Sequence, residues 1–234
     1  MAFEILKPEW GALRPIRGIL FDMDGLVLDT ETLFTRFWME AAQLHGFPMT
    51  RDQALGMRSL SRTAGQTQLE GYFGPAVNYA EIRATRIRLM SAYIDTHGVE
   101  PKPGIYELLD VLDARGIPAA ITSSSPVQRI EDYLKPLNLY HRFSQICSGH
   151  EVPRGKPEPD IYLHGAAQLG RKPESCLALE DSPAGILSAY RAGCLPVLIP
   201  DQDVPGEETQ SLCFAIADAL SDIPQIISAV NGCL

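Results

Sequence analysis

Two carboxylates near the N-terminus are the residues best suited to chemistry. Asp22 and Asp24, separated only by Met23, directly follow the apolar run RGILF. Such a run predicts a buried strand of a parallel sheet, and ligands bind outside the carboxyl ends of such strands. We therefore expect both acids at a binding edge, with Asp22 as a nucleophile and Asp24 as the group that carries a proton.

Neither a calcium-binding loop nor an Asp-rich surface turn accounts well for this acidic pair. A calcium-binding loop begins with the same spacing, but it needs Asp or Asn at its fifth position and Glu at its twelfth. Leu26 and Leu33 occupy those positions. A surface turn is disfavoured because a buried strand is predicted directly before Asp22.

A serine run follows a second apolar segment, IPAAIT. Ser123 and Ser124 lie there at the start of a predicted helix, where hydroxyl and free backbone N–H groups form an anion site. Such a site would suit a phosphoryl group. An ordinary helix cap is the alternative, since serine is common at helix starts.

A lysine and two further acids complete the candidate set. Lys156 precedes a proline-initiated helix, and the run CLALE ends in Glu180, which Asp181 follows. Hard oxygen ligands of this kind suit magnesium. Because a phosphate monoester is anionic, an attacking carboxylate needs cations beside it, and Lys156 and magnesium would supply them. A solvated loop lysine is the alternative for Lys156.

The elements that position these groups alternate regularly along the chain. Short apolar runs are each followed by a helical pattern that begins at Ser-Pro or Pro and ends at Gly. This alternation predicts a doubly wound α/β domain with a parallel sheet. The predicted strands are RGILF, IPAAIT, FSQIC, CLALE and LPVLI.

One interval breaks the alternation. Residues 32–100 contain no convincing strand, but apolar residues recur there at helical spacing. We therefore predict a core domain of residues 1–31 and 101–234, and a helical insertion of residues 32–100. Arg58 and Arg62 in this insertion are candidate substrate contacts, with a solvated helix surface as the alternative.

Composition excludes several classes of protein. The 234 residues are 45% hydrophobic and 21% charged, enough for one large domain with an insertion. A net charge of -9 argues against a nucleic-acid partner. No segment predicts a signal peptide or membrane span, and the five scattered cysteines indicate reduced thiols, so we expect a cytoplasmic protein. The oligomeric state stays open, with a monomer as the simplest expectation.

The motifs together closely resemble the haloacid dehalogenase superfamily, in the branch with a helical cap inserted after the first motif. The resemblance spans residues 18–201 and is carried by four segments in order: DMDGLVLDT, TSSS, GKPEPDIYL and LEDSPAGILSAYRAG. It implies a Rossmann-like core. The dehalogenases that named the superfamily lack the second aspartate and need no metal, so Asp24 disfavours dehalogenation here.

The resemblance also implies roles for the candidate residues. Asp22 would be the phosphorylated nucleophile and Asp24 the general acid and base. Ser123 and Lys156 would contact the transferred phosphoryl group. The implied magnesium ligands are Asp22, the backbone carbonyl of Asp24, and Asp181, with Glu180 in or beside this set.

The expected function is a magnesium-dependent phosphatase that acts on a small phosphorylated metabolite, such as a sugar phosphate or a nucleotide-like monoester. The first alternative is a phosphomutase of the β-phosphoglucomutase type. Relatives of that type carry a histidine four residues after the threonine of the first motif, where this chain has Phe34. A catalytically silent phosphate-binding protein is a further alternative, although it would have little use for Asp24.

Overall fold

The computed structural model describes residues 3–11, 15–58, 60, 62–202 and 206–232. The chain forms two compact units, Met1–Leu28 together with Pro101–Leu234, and Asp29–Glu100. The second unit begins at Asp29, earlier than the predicted boundary at Thr32. The boundary lies earlier because the first helix of this unit already begins at Thr30.

A seven-stranded sheet lies at the centre of the first unit, in the order β1-β7-β6-β5-β2-β3-β4. All neighbouring pairs are parallel except β1 with β7, which is antiparallel. The strands are β1 (Phe3–Ile5), β2 (Gly18–Phe21), β3 (Ala119–Ser123), β4 (Gln145–Ser148), β5 (Cys176–Glu180), β6 (Leu195–Leu198) and β7 (Ala215–Ala217).

Helices cover both sides of this sheet, as predicted for a doubly wound α/β core. They are α1 (Pro8–Gly11), α6 (Ile105–Ala114), α7 (Val127–Leu134), α8 (Asp160–Gln168), α9 (Pro183–Arg191), α10 (Glu207–Gln210) and α11 (Ile223–Asn231). The central strands β2, β3, β5 and β6 are buried along their whole length, which explains why they are continuous apolar runs in the sequence.

The second unit contains helices and no strand among its described residues. Its helices are α2 (Thr30–Leu44), α3 (Arg51–Leu55), α4 (Arg62–Phe73) and α5 (Tyr79–His97). Helix α2 packs mainly against α5. Trp38 contributes to this core, with its ring centroid 5.6 Å from that of Tyr79. Trp38 and Tyr79 therefore serve packing, which is the role expected of most aromatic residues of the insertion.

The structure adds two strands that the sequence did not predict. The five predicted runs form β2 to β6, whereas β1 and β7 have three residues each. Segments this short carry no periodicity by which a strand could be recognised. Among the described residues, no helix is both long enough and apolar enough to cross a membrane.

Candidate active site

Asp22 is held at the end of β2 by the strands on either side. Its backbone N–H donates to the carbonyl of Leu179 in β5 at 3.0 Å. The hydroxyl of Thr122 in β3 donates to the carbonyl of Phe21 at 3.1 Å. The carboxylate therefore leaves the sheet from a rigid position between two hydrogen-bonded neighbours.

A tight loop after Asp22 brings Asp24 back to the same edge of the sheet. The N–H groups of Val27 and Leu28 both donate to the carbonyl of Met23 at 3.0 Å, and the N–H of Gly25 donates to the carbonyl of Leu28 at 2.9 Å. Gly25 has a φ of 87°, in the left-handed region that favours glycine. This turn explains the glycine directly after the second acid.

The serine run places one hydroxyl directly on Asp24. The Ser125 Oγ donates to Asp24 Oδ2 at 3.2 Å, and the Ser125 N–H donates to Ser123 Oγ at 3.1 Å. Ser123 is fully buried at the end of β3, and Ser124 is exposed. The sequence pattern singled out Ser123 and Ser124, but nothing in it indicated that Ser125 would contact the second acid.

Lys156 lies between two carboxylates that come from separate strand ends. Its Nζ is 2.6 Å from Asp22 Oδ1 and 2.5 Å from Glu180 Oε1. The lysine side chain is only 8% exposed, so these ion pairs are shielded from water. Burial alone would lower the pKa of Lys156, but the charges of Asp22 and Glu180 raise it well above its usual value. The lysine is thus a fixed positive charge beside Asp22.

Three buried acids at this edge could hold a metal ion. One carboxylate oxygen from each of Asp22, Glu180 and Asp181 can be chosen so that all lie within 4.8 Å of one another. Hard oxygen donors in this number suit magnesium rather than a thiophilic metal. The donor set therefore fits a divalent cation, and the structure brings three of the four predicted ligands together; the role of the Asp24 backbone carbonyl stays a prediction.

Glu180 has more partners than its predicted role as a ligand requires. Besides Lys156, its Oε1 accepts a hydrogen bond from the Tyr162 hydroxyl at 2.5 Å. Its Oε2 accepts from the Ser182 hydroxyl at 3.1 Å and from the Ser182 N–H at 3.4 Å. Nothing in the sequence indicated Tyr162, because a tyrosine on the buried face of a helix is ordinarily core packing.

The two arginines predicted to contact substrate both lie in the helical unit. Arg58 forms an ion pair with Glu31, with 2.9 Å between Nε and Oε2. Arg62 is exposed at the start of α4. Neither observation tests a role in substrate binding, which stays a prediction.

Asp22 lies in surroundings that oppose its negative charge. The net effect raises the pKa of Asp22 to about 8, and burial is the largest cause. The charge of Lys156 lowers this pKa, whereas the charges of Glu180 and Asp24 raise it further. A nucleophilic carboxylate must be ionised, so a second cation beside Asp22 would favour the reactive form. Three buried acids lie at this edge beside Lys156, which is consistent with a site built for a divalent cation.

We expect the substitution Asp22→Asn to stabilise the metal-free protein in a pH-dependent way. With its pKa raised from 3.8 to about 8, the folded wild type loses free energy of unfolding as pH rises between these values. Asparagine removes the buried charge but leaves Lys156 paired with Glu180. Thermal unfolding in a chelator should show Tm higher by about 10 °C or more at pH 8, because the raised pKa of Asp22 corresponds to about 5 kcal/mol at this pH, with the gain disappearing toward pH 4. A gain that is equal at both pH values would contradict this account.

A family model and related proteins match this chain. Residues 16–193 match the model of the haloacid dehalogenase-like hydrolases. The chain is 36% identical to hexitol phosphatase A of Escherichia coli K12 over 182 residues, 76% of this chain and 80% of that protein. It is 31% identical to a probable pseudouridine-5'-phosphatase of Drosophila melanogaster over 224 residues, 91% of this chain and 94% of that protein.

A solved structure agrees with the fold. The crystal structure of β-phosphoglucomutase from Clostridium difficile superposes with a TM-score of 0.72 at 21% identity, over 92% of this chain and 97% of that chain. At this identity the likeness concerns the fold alone. The match to the family model covers most of the chain, and it agrees with the acids at the strand ends. The chain therefore belongs to the haloacid dehalogenase-like hydrolase family and is an enzyme.

Proposed function

We propose that this hydrolase is a magnesium-dependent phosphatase that cleaves a small phosphorylated metabolite through an aspartyl-phosphate on Asp22. The observation that carries the proposal is the position of Asp22, in contact with Lys156 and close to Asp181, with which it could hold a divalent cation. Phosphatase activity itself accords with the family and with the names of the relatives, which are phosphatases.

The first step is attack by a carboxylate oxygen of Asp22 on phosphorus. A bond forms between this oxygen and phosphorus, and the bond from phosphorus to the ester oxygen breaks. Asp24 gives its proton to the departing oxygen, so that the metabolite leaves as a neutral alcohol. The Ser125 hydroxyl, which donates to Asp24 Oδ2, supports this assignment because it orients the acid.

The second step returns the enzyme to its starting state. Asp24, now ionised, accepts a proton from a water molecule while the water oxygen attacks phosphorus. The bond between phosphorus and Asp22 breaks, inorganic phosphate is released, and Asp24 again holds the proton. One ester and one water are consumed, and one alcohol and one phosphate are formed.

The negative charge of the phosphoryl group is offset by groups that are already in place. The ammonium of Lys156 is fixed beside Asp22, and the exposed Ser124, which directly follows β3, offers backbone and hydroxyl donors. Ser123 is assigned to the same anion site, although its Oγ already accepts from the Ser125 N–H. Preorganised donors of this kind stabilise charge without reorganisation during the reaction.

Magnesium would be held by the carboxylates of Asp22 and Asp181 and by the backbone carbonyl of Asp24. When bound, it supplies positive charge to the phosphoryl oxygens and favours the ionised form of Asp22. The predicted fourth ligand, Glu180, is buried and accepts several hydrogen bonds within the protein.

The substrate class proposed is a sugar phosphate or a nucleotide-like monoester. The names of the two relatives, a hexitol phosphatase and a probable pseudouridine-5'-phosphatase, support small polyhydroxylated esters. Residues 32–100 would act as the cap that selects among them, with Arg58 and Arg62 as candidate contacts. The net charge of -9 supports a small-molecule substrate rather than a nucleic acid.

A cytoplasmic location is part of the same proposal. The four cysteines that the structure describes are free and buried, as expected where thiols stay reduced. They are Cys147, Cys176, Cys194 and Cys213, and Cys233 lies outside the described residues. A monomer remains the simplest expectation for the quaternary structure.

We expect phosphate release to require magnesium. Hexitol phosphates, hexose phosphates and nucleoside monophosphates should be screened with magnesium and with a chelator, using phosphate release as the readout. The chelator should abolish release, and added magnesium should restore it, because Lys156 alone leaves the acids and the ester in net repulsion. Undiminished turnover in the chelator, or no release from any ester, would contradict the proposal.

The two aspartates should give different kinetic defects. Asp22→Asn should abolish turnover, because it removes the nucleophile with little change in volume. Asp24→Asn keeps the backbone carbonyl but loses proton transfer, so kcat should fall by about 100- to 10,000-fold. Circular dichroism should be unchanged in both variants. Normal turnover by Asp22→Asn would exclude covalent catalysis by Asp22.

We also expect little phosphomutase activity. Phe34 occupies the position of the mutase histidine, and its ring lies 4.6 Å from the Arg86 guanidinium within the helical unit, a packing contact that transfers no proton. A coupled assay should show release of phosphate without a bisphosphate activator, and slow interconversion of glucose 1-phosphate and glucose 6-phosphate. Interconversion much faster than release would favour the mutase.

A further inference from the structure

Tyr162 is buried in the core beside the proposed site, and the mechanism above gives it no role. It lies on α8, is fully inaccessible to solvent, and packs in the apolar cluster that includes Leu20 and Ala178. Its hydroxyl nevertheless reaches Glu180 Oε1 at 2.5 Å. Its ring also lies below the Lys156 ammonium, with 5.1 Å between Nζ and the ring centroid.

We propose that Tyr162 is a positioning residue, which holds Glu180 and thereby fixes the Lys156 ammonium against Asp22. In this arrangement Glu180 serves as the anchor of the lysine rather than as a metal ligand. The inference rests on the proposed function, since it concerns the lysine that would neutralise the phosphoryl group.

The hydrogen bonds of Glu180 support the role of an anchor. Oε1 accepts from both Lys156 and Tyr162, and Oε2 accepts from the hydroxyl and the N–H of Ser182. Both oxygens are thus occupied by donors of the protein. A carboxylate held in this way has a defined orientation, and little lone-pair capacity remains for a cation.

A glycine provides the space in which this carboxylate lies. A Cβ built on Gly185, in the first turn of α9, would lie 1.8 Å from Glu180 Cδ and 1.9 Å from Oε1. No side chain fits there unless Glu180 moves. The Gly185 N–H also donates to the Ser182 hydroxyl at 3.2 Å, so the same turn of helix holds the serine that contacts Oε2.

The tyrosine hydroxyl is well suited to remain a donor. Burial raises the pKa of Tyr162, and the charge of Glu180 raises it further, well above its usual value. The hydroxyl therefore keeps its proton throughout the pH range in which the enzyme would work. Phenylalanine would fill nearly the same space and keep the ring below Lys156, so it removes the hydrogen bond alone.

Tyr162→Phe tests the hydrogen bond directly. We expect kcat to fall about tenfold, because a hydrogen bond to a charged group is lost. The half-saturating magnesium concentration should stay within about twofold of wild type, because the affected carboxylate is not a metal ligand. Tyr106→Phe is the matched control, since its hydroxyl donates to the Leu137 carbonyl at the surface. A normal kcat in Tyr162→Phe would overturn the proposal.

Gly185→Ala tests the same anchor by a steric route. Alanine favours a helix, so the backbone should tolerate it, and the displaced group is Glu180. Gly71→Ala on α4 is the control, because a Cβ there meets no atom within 4 Å. We expect Gly185→Ala to lower kcat at least as much as Tyr162→Phe, with circular dichroism unchanged. A large rise in the half-saturating magnesium concentration would instead make Glu180 a metal ligand and overturn its role as an anchor.

A readout that needs no turnover separates this inference from the proposed function. Acylation of individual lysines, followed by peptide mass spectrometry, measures how firmly Lys156 is held, with exposed Lys135 as the reference. Lys156 should react faster in Tyr162→Phe and in Gly185→Ala than in wild type. If wild type hydrolyses no ester but these rates rise, the anchor stands and the phosphatase proposal fails. If the rates are unchanged, the anchor itself is contradicted.

Discussion

The site depends on one buried ammonium that balances carboxylates from separate parts of the chain. Lys156 pairs with Asp22 and Glu180, and a carboxylate oxygen of Asp181 lies within 4.8 Å of these two acids. The balance is incomplete, because burial raises the pKa of Asp22 even beside the lysine. In the proposed phosphatase, this excess of negative charge would attract a divalent cation, and the charge of the cation would help to accommodate an anionic ester.

The fold makes this crowding possible by fixing each group independently. Asp22 directly follows β2 and Glu180 ends β5, both strands are buried on both faces, and they pair in parallel register. The carboxylates therefore emerge at the same edge, and their mutual repulsion cannot move the strands apart without breaking the sheet. Repulsion between like charges is typical of functional sites, which are less stable than the same positions would be with uncharged, well-packed side chains.

Much of this arrangement could be predicted from the sequence, because the information is local. Apolar runs identified five strands, β2 to β6, and the acids and serines that follow β2, β3 and β5 indicated the candidate binding edge. The position of Asp22 and Asp24 at the end of a strand could be predicted from the spacing of the two acids and from the glycine that follows them. The short strands β1 and β7 could not be predicted, since three residues show no period and their pairing depends on the rest of the sheet.

Contacts between distant parts of the chain also could not be predicted from the sequence. Ser125 contacts Asp24 because of the loop geometry after β3, and Tyr162 reaches Glu180 only because α8 packs on the sheet. In the sequence, Tyr162 is one more apolar residue on a helix, and Gly185 is a small residue in the first turn of another. Their proposed roles depend on distances that only the folded chain provides.

Covalent catalysis by Asp22 can be tested through the stereochemistry at phosphorus. The substrate would be a phosphorothioate analogue of the preferred ester, with one heavy oxygen isotope at phosphorus, hydrolysed in water that carries the other heavy isotope, so that the released thiophosphate is chiral. Attack by Asp22 followed by attack of water inverts phosphorus twice, so we expect net retention of configuration in the released thiophosphate. Net inversion would mean that water attacks the ester directly, and it would contradict an aspartyl-phosphate intermediate.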